Sequence, residues 1–179
     1  MLEGAGVDHI VVRPNVDESA PKAGKTDPAE IATELAKIKA AAVSSLHPKD
    51  WVVGSDSVVS VEGRLFNKPR DREDAVEHLR SFSGKSLTLT SAVAIVRDGK
   101  TDWSSVDQAE LIVRPLSDDF IRDYLDAEWP EVSYCVGVFR MEGRGVQLFE
   151  RIKGDHFTIL GMPLVPLLGA LRERGIVQS

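Results

Sequence analysis

The chain has 179 residues, of which 42% are apolar, enough for one domain with a single sizeable core. Its 28 acids against 22 bases leave a formal net charge of −6, which argues against a partner made of long nucleic acid, since such binders neutralise many phosphates with a basic face. One cysteine, Cys135, excludes a disulfide framework and points to a reducing, cytoplasmic setting. No apolar run approaches the length of a membrane span, and the opening Met-Leu-Glu-Gly-Ala-Gly-Val does not read as a signal peptide.

In chain order, His9 to Arg13 reads as a short strand, and Glu18 to Thr26 as a surface loop. Asp27 caps a helix, with Pro28 at its first position and Glu30 completing a capping-box-like pattern; that helix is expected to run to about Leu46. Trp51 to Val61 reads as an apolar strand interrupted at its centre by Gly54-Ser55-Asp56-Ser57, and Glu62-Gly63 as a turn into Leu65-Phe66. Asp71 caps a second helix, with Ala75, Val76, Leu79 and Phe82 on one face, ending at Gly84. Leu87 to Val96 and Gln108 to Val113 are expected strands joined around Asp98-Gly99, and Ser117 caps a third helix carrying Phe120, Ile121, Tyr124 and Leu125. Gly145 to Ile152 is a further expected strand, and the last helix begins near Pro163 and ends before Gly175. The pattern is mixed α/β.

Asp56 is the most informative polar residue. Val52 and Val53 precede it and Val58 and Val59 follow, so its carboxylate needs a partner, a hydrogen bond or a metal. A functional role and the stabilisation of a bulge beside Gly54 are both open at this point. Lys39 sits at the edge of the stripe made by Ile31, Leu35, Ile38 and Ala42, where it can point into a neighbouring cleft or snorkel to water. Lys68, in Asn67-Lys68-Pro69, can meet a phosphate as a point charge from a stiff turn, or be solvated. Asp17 and Glu18 can offer oxygen ligands to Mg²⁺, although paired acids on loops are usually solvated. The four histidines show no ligand spacing, Cys135 reads as a small core residue, and no P-loop, nucleophile elbow or dinucleotide fingerprint is present.

Taken in order, the segments Val16-Asp17-Glu18, Leu35-Ala36 with Lys39-Ala40, Gly54 to Val59, Lys68-Pro69, Ser83-Gly84, Ser91 to Ala94 and Leu160 to Leu164 resemble the Maf family of nucleotide pyrophosphatases. The resemblance covers nearly the whole chain and is read as one domain over 1–179. The family pattern opens with a strand and a Ser-x-Ser-x-x-Arg loop that grips the triphosphate. This sequence begins within the helix that follows, so it reads as shortened at its N-terminus, with a gap expected in the sheet. Within the family, Cys135 to Gly143 is similar to the branch acting on 7-methyl-GTP; the Asp-Lys-Ala-Gly-Ala-Tyr stretch of the dTTP/UTP branch is absent, and Glu142 stands where that branch has glutamine. A carboxylate there can accept from both N1–H and N2–H of guanine, and the cationic methylated base strengthens the pair.

The resemblance implies an α/β fold with a mixed central sheet, flanking helices and two lobes around a cleft, often dimeric. It implies hydrolysis of a nucleoside triphosphate between the α- and β-phosphates. Asp56 would be the general base and a possible metal contact; Glu18 would help hold Mg²⁺ or Mn²⁺; Lys39 and Lys68 would neutralise the leaving pyrophosphate; Ser57 and Glu142 would shape base selection. The rival expectations are the same reaction on dTTP, UTP or another modified nucleotide, and a non-catalytic nucleotide-binding regulator linked to cell division.

Overall fold

The computed structural model describes residues 1–18 and 24–178, so residues 19–23 of the expected loop lie outside it. Helix α1 spans Pro28–Ser44, β1 Val52–Val61, β2 Arg64–Phe66, α2 Arg72–Phe82, β3 Ser86–Arg97 and β4 Lys100–Val113. Then follow α3 Asp118–Glu128, β5 Phe149–Lys153, α4 His156–Ile159 and α5 Leu164–Glu173. Three of the caps expected from sequence are made. The side chains of Asp27, Asp71 and Ser117 accept from the backbone N–H groups of Ala29, Asp74 and Phe120.

The five strands form one antiparallel sheet of order β2-β1-β3-β4-β5, flanked by helices. The α/β class is as expected, while the mixed strand directions are corrected to antiparallel. Two tight hairpins are part of the reason. Glu62-Gly63 (φ 51° and 78°) and Asp98-Gly99 (φ 50° and 68°) each put two consecutive residues in the left-handed region, the geometry that matches the twist of paired antiparallel strands. The β2–α2–β3 connection skips over β1, so β2 and β3 flank it. At the other edge, β4 and β5 pair from Glu110 with Lys153 to Val113 with Phe149, with a register shift at Ile112.

The chain divides into two compact units. Unit 1 comprises Met1–Ser57, Thr90–Asp107 and Asp155–Ser179; unit 2 comprises Val58–Leu89 and Gln108–Gly154. In unit 1, β3 is buried at every position from Thr90 to Val96 rather than at alternate ones. Such a strand is covered on both faces. One cover is α5, whose Leu164, Leu167, Ala170 and Leu171 cluster with Val93, Ile95 and Met162. Each fully buried leucine or isoleucine here contributes about 1.5–3 kcal/mol. In unit 2, α2 turns Ala75, Leu79 and Phe82 inward, and Phe66 packs edge-on against Phe82 and His78.

Other expectations need correction. His9 to Arg13 is not a strand: Ile10 and Val11 are exposed, and among the described residues no strand pairs with them. Strand β1 is not interrupted at its centre but continues through Gly54–Ser57. Because β2 pairs only with Val59–Val61, no strand among the described residues lies against the first half of β1 on that side. A groove of about 1060 Å³ opens there, lined by residues that include Val7–Val12 and Trp51–Ser55. The strand expected from Gly145 begins only at Phe149, after a 3-10 turn over Arg144–Leu148. Helix α1 stops at Ser44, two residues short of the expected end, and the short α4 was not anticipated. Among the described residues, no helix is long and apolar enough to cross a membrane.

Candidate active site

Successive side chains of a strand point to opposite faces, so Gly54 and Asp56 share one face of β1 and Ser57 takes the other. The Gly54 face meets α1. A Cβ at Gly54 would stand 2.5 Å from the Ala36 carbonyl oxygen and 2.8 Å from the Ala40 amide nitrogen. Only glycine permits this approach. It brings the turn of α1 that carries Lys39 down onto the strand, two residues from Asp56. The Lys39 Nζ then lies 2.6 Å from Asp56 Oδ1 and 2.7 Å from Glu18 Oε1. The Asp56 side chain is 10% exposed and that of Lys39 18%, so the pair is largely screened from water, while Glu18 forms the open side at 38%. Burial works against the ammonium, yet the hydrogen bonds from Lys39 to Asp56 and Glu18 outweigh it and raise the lysine pKa. Lys39 is therefore held charged between two acids.

Glu18 and Asp56 are hard oxygen donors that both reach the Lys39 ammonium. Mg²⁺ commonly binds through one or two carboxylates plus phosphate oxygens and water, so this donor set fits Mg²⁺ or Mn²⁺ accompanied by a phosphate ligand. Among the described residues no group of three or more acid, histidine or cysteine side chains gathers as a closed cage.

On the opposite face of β1, Ser57 Oγ lies 2.8 Å from Ser91 Oγ and donates to the Gly161 carbonyl at 3.4 Å. Ser91 in turn donates to the Thr158 carbonyl, and the Thr158 hydroxyl donates to Asp107. This polar chain ties β1, β3, β4 and α4 together within unit 1. Ser57 thus faces away from Asp56 and is engaged by protein.

Lys68 and Glu142 belong to unit 2, and both are exposed. Lys68 stands on the turn between β2 and α2, before the Asp71 cap, with Pro69 buried beneath the turn. Both side chains are close enough to act electrostatically on Cys135, which is half-buried rather than a core residue; burial pushes its thiol pKa up. Glu142 rides on the turn Arg140–Gly143, closed by the Gly143 N–H donating to the Arg140 carbonyl at 3.3 Å.

Sequence reasoning placed Tyr124 on α3 without giving it a role and passed over Glu128 on the same helix. The Tyr124 hydroxyl donates to the Val138 carbonyl at 2.9 Å. Val138 has φ 55°, a left-handed conformation costing a branched residue on the order of 1–3 kcal/mol. One helical turn later, Glu128 is 7% exposed and accepts from Arg140 Nη2 at 3.2 Å and from the Arg144 N–H at 3.0 Å. The Arg144 N–H bond draws the Glu128 pKa down first, and the Arg140 guanidinium adds to it against burial. The signal was present: Ile121, Tyr124, Leu125 and Glu128 follow i, i+3, i+4, i+7 spacing, placing an acid on the buried stripe.

Fold and site together define an α/β protein in which a helix packed on a strand glycine sets a charged lysine between two carboxylates. The Maf family profile, described as Maf-like protein, matches residues 1–174. The chain belongs to the Maf family. It is 45% identical over 184 residues to a Rhizobium etli protein named 7-methyl-GTP pyrophosphatase, covering 100% of this chain and 92% of the relative. A Nitrobacter hamburgensis protein named nucleoside triphosphate pyrophosphatase is 45% identical over 179 residues, covering 99% and 89%. A third relative, from Rhizobium meliloti and named 7-methyl-GTP pyrophosphatase, is 42% identical over 183 residues, covering 100% and 92%.

Proposed function

We propose that this protein hydrolyses a nucleoside triphosphate to the monophosphate and pyrophosphate, with 7-methyl-GTP as its preferred substrate and nucleotide-pool house-cleaning as its role. The observation that carries the reading is the nearly buried Asp56 carboxylate, 2.6 Å from a lysine that also reaches Glu18. Burying a carboxylate and an ammonium costs several kcal/mol per ion, and β1 runs through Asp56 without a break that the acid would have to stabilise. The names of relatives 42–45% identical over the whole chain point the same way.

In this reading, Asp56 orients a water and takes its proton as the α–β phosphoanhydride breaks. Lys39, already charged, shifts from the carboxylates toward the phosphate oxygens and neutralises charge on the departing pyrophosphate; Lys68 does the same as a second cation. Glu18 and Asp56 are the residues that would hold Mg²⁺ or Mn²⁺. The chemistry such an ion supplies is polarisation of the phosphate oxygens. Ser57, bonded to Ser91, influences base selection by fixing β1, and Glu142 by accepting from the guanine edge. A cytoplasmic homodimer belongs to the same reading.

Pyrophosphate release from 7-methyl-GTP, GTP, dTTP and UTP, with Mg²⁺ or Mn²⁺ present, tests it. The expected order puts 7-methyl-GTP first in kcat/KM. Binding of these nucleotides without release of pyrophosphate would overturn the enzymatic reading, and a preference for dTTP or UTP would overturn the substrate.

A further inference from the structure

Glu128 on α3 holds both ends of one turn. Its Oε2 accepts from the Arg140 guanidinium and its Oε1 from the Arg144 N–H, so a single carboxylate spans the residues flanking Met141-Glu142-Gly143. The fit around it is close. A Cβ at Gly143 would lie 2.7 Å from Glu128 Oε2, and a Cβ at Gly145 would lie 2.4 Å from the Arg140 carbonyl oxygen. Gly143 thus lets the turn lie against the carboxylate, and Gly145 lets the chain close onto the Arg140 backbone. Tyr124, four residues earlier on the same helical face, holds the Val138 carbonyl at the start of the same segment. Helix α3 therefore grips residues 138–144 at three points, while the Glu142 side chain projects into solvent from the middle of the gripped turn.

We infer that Glu128 is a positioning residue for nucleotide selectivity: by clamping Arg140 and the Arg144 N–H it presets the turn that presents Glu142 to the base. It touches no reacting atom. A charged acceptor makes stronger hydrogen bonds than a neutral one, so the clamp weakens in steps from glutamate to glutamine to alanine. The selectivity part of this inference rests on the proposed nucleotide hydrolysis; the clamp itself does not.

The test compares wild type with Glu128→Gln, Glu128→Ala and Gly143→Ala. Two readouts are taken: kcat and KM for 7-methyl-GTP and UTP, and the rate at which Cys135, the sole cysteine, reacts with an aromatic disulfide reagent. Glu128→Ala is expected to raise KM for 7-methyl-GTP about tenfold, with kcat within about twofold and preference over UTP reduced about as much. Glu128→Gln, able to accept from the Arg144 N–H but not to pair with a cation, is expected to fall between alanine and wild type. Gly143→Ala, which pushes on the carboxylate without removing it, is expected to move selectivity in the same direction. In all three variants Cys135 is expected to react faster, because the Val138 N–H donates to its carbonyl at 3.2 Å and loosening the segment from Val138 loosens that tie. A loss of kcat with unchanged selectivity overturns the inference, as does an unaltered KM. Should Glu128→Ala fail to fold, the glutamine and Gly143→Ala variants carry the decision. If wild type releases pyrophosphate from no nucleotide, the hydrolase reading fails by itself; equal thiol rates in wild type and all variants then still overturn the clamp.

Discussion

The acid–lysine–acid cluster of unit 1 and the Glu142 turn of unit 2 are built in opposite ways. Asp56 and Lys39 stand on regular elements, a ten-residue strand and a seventeen-residue helix, and their meeting follows from one close contact at Gly54. Glu142 stands on an irregular stretch that includes a left-handed valine, kept in place by side chains reaching across from α3. Groups that must meet within tenths of an ångström belong on elements locked by packing. A group that chooses among related ligands can sit on a loop, where changes leave the sheet intact.

The comparison can be broken most sharply at Asp56. Asp56→Asn keeps size and shape but removes the proposed base, and pyrophosphate release is expected to fall about 10²–10⁴-fold with the thermal midpoint little changed. Undiminished turnover would remove Asp56 from the chemistry. Gly54→Ala attacks the same cluster through packing alone. Its Cβ meets backbone atoms of α1, which cannot swing aside, so the variant is expected to lose about 1–3 kcal/mol in denaturant unfolding and to lose activity as Lys39 is pushed off Asp56. Wild-type stability in that variant would mean that the helix is free to shift.

On the unit 2 side the expected effects are smaller. Glu142→Gln should lower the preference for 7-methyl-GTP over UTP about tenfold, read as the ratio of kcat/KM values, while stability stays unchanged. An unaltered ratio would take Glu142 out of base recognition. Smallest is a pH effect on folding at His78, packed against Phe66 and Phe82. Burial lowers its pKa below 6.5, outweighing the attraction of Asp74, while Arg64 and Arg70 lower it further; its buried Nδ1 has no hydrogen-bond partner among the described residues. As pH falls through 6.5 the unfolded chain takes up a proton that the folded chain refuses, so stability drops until the folded pKa is reached. The thermal midpoint of wild type should therefore fall more between pH 7.5 and 5.5 than that of His78→Leu, and parallel curves would contradict this.

Much of this was legible in the sequence because it depends on neighbours along the chain. Asp27, Asp71 and Ser117 announce helix starts through side chains that reach the next turn, and Glu62-Gly63 and Asp98-Gly99 announce hairpins through their backbone preferences. Asp56 stood out for the same reason, as a charge in a greasy run. The contacts that define both regions were not legible, because they join residues far apart in sequence: Lys39 to Asp56, Ser57 to Ser91 and Gly161, Glu128 to Arg140 and Arg144. His9 to Arg13 shows the converse, since a strand-like composition makes no strand without a partner.

Periodicity, caps and turns, all short-range properties, determined which segments become helices and hairpins and marked Asp56 as costly to bury. Only the tertiary structure decided that Gly54 would admit α1 closely enough for Lys39 to reach that acid, and which distant turn the inward-facing Glu128 would hold. Both outcomes depend on steric fit between elements, and no local pattern encodes that fit.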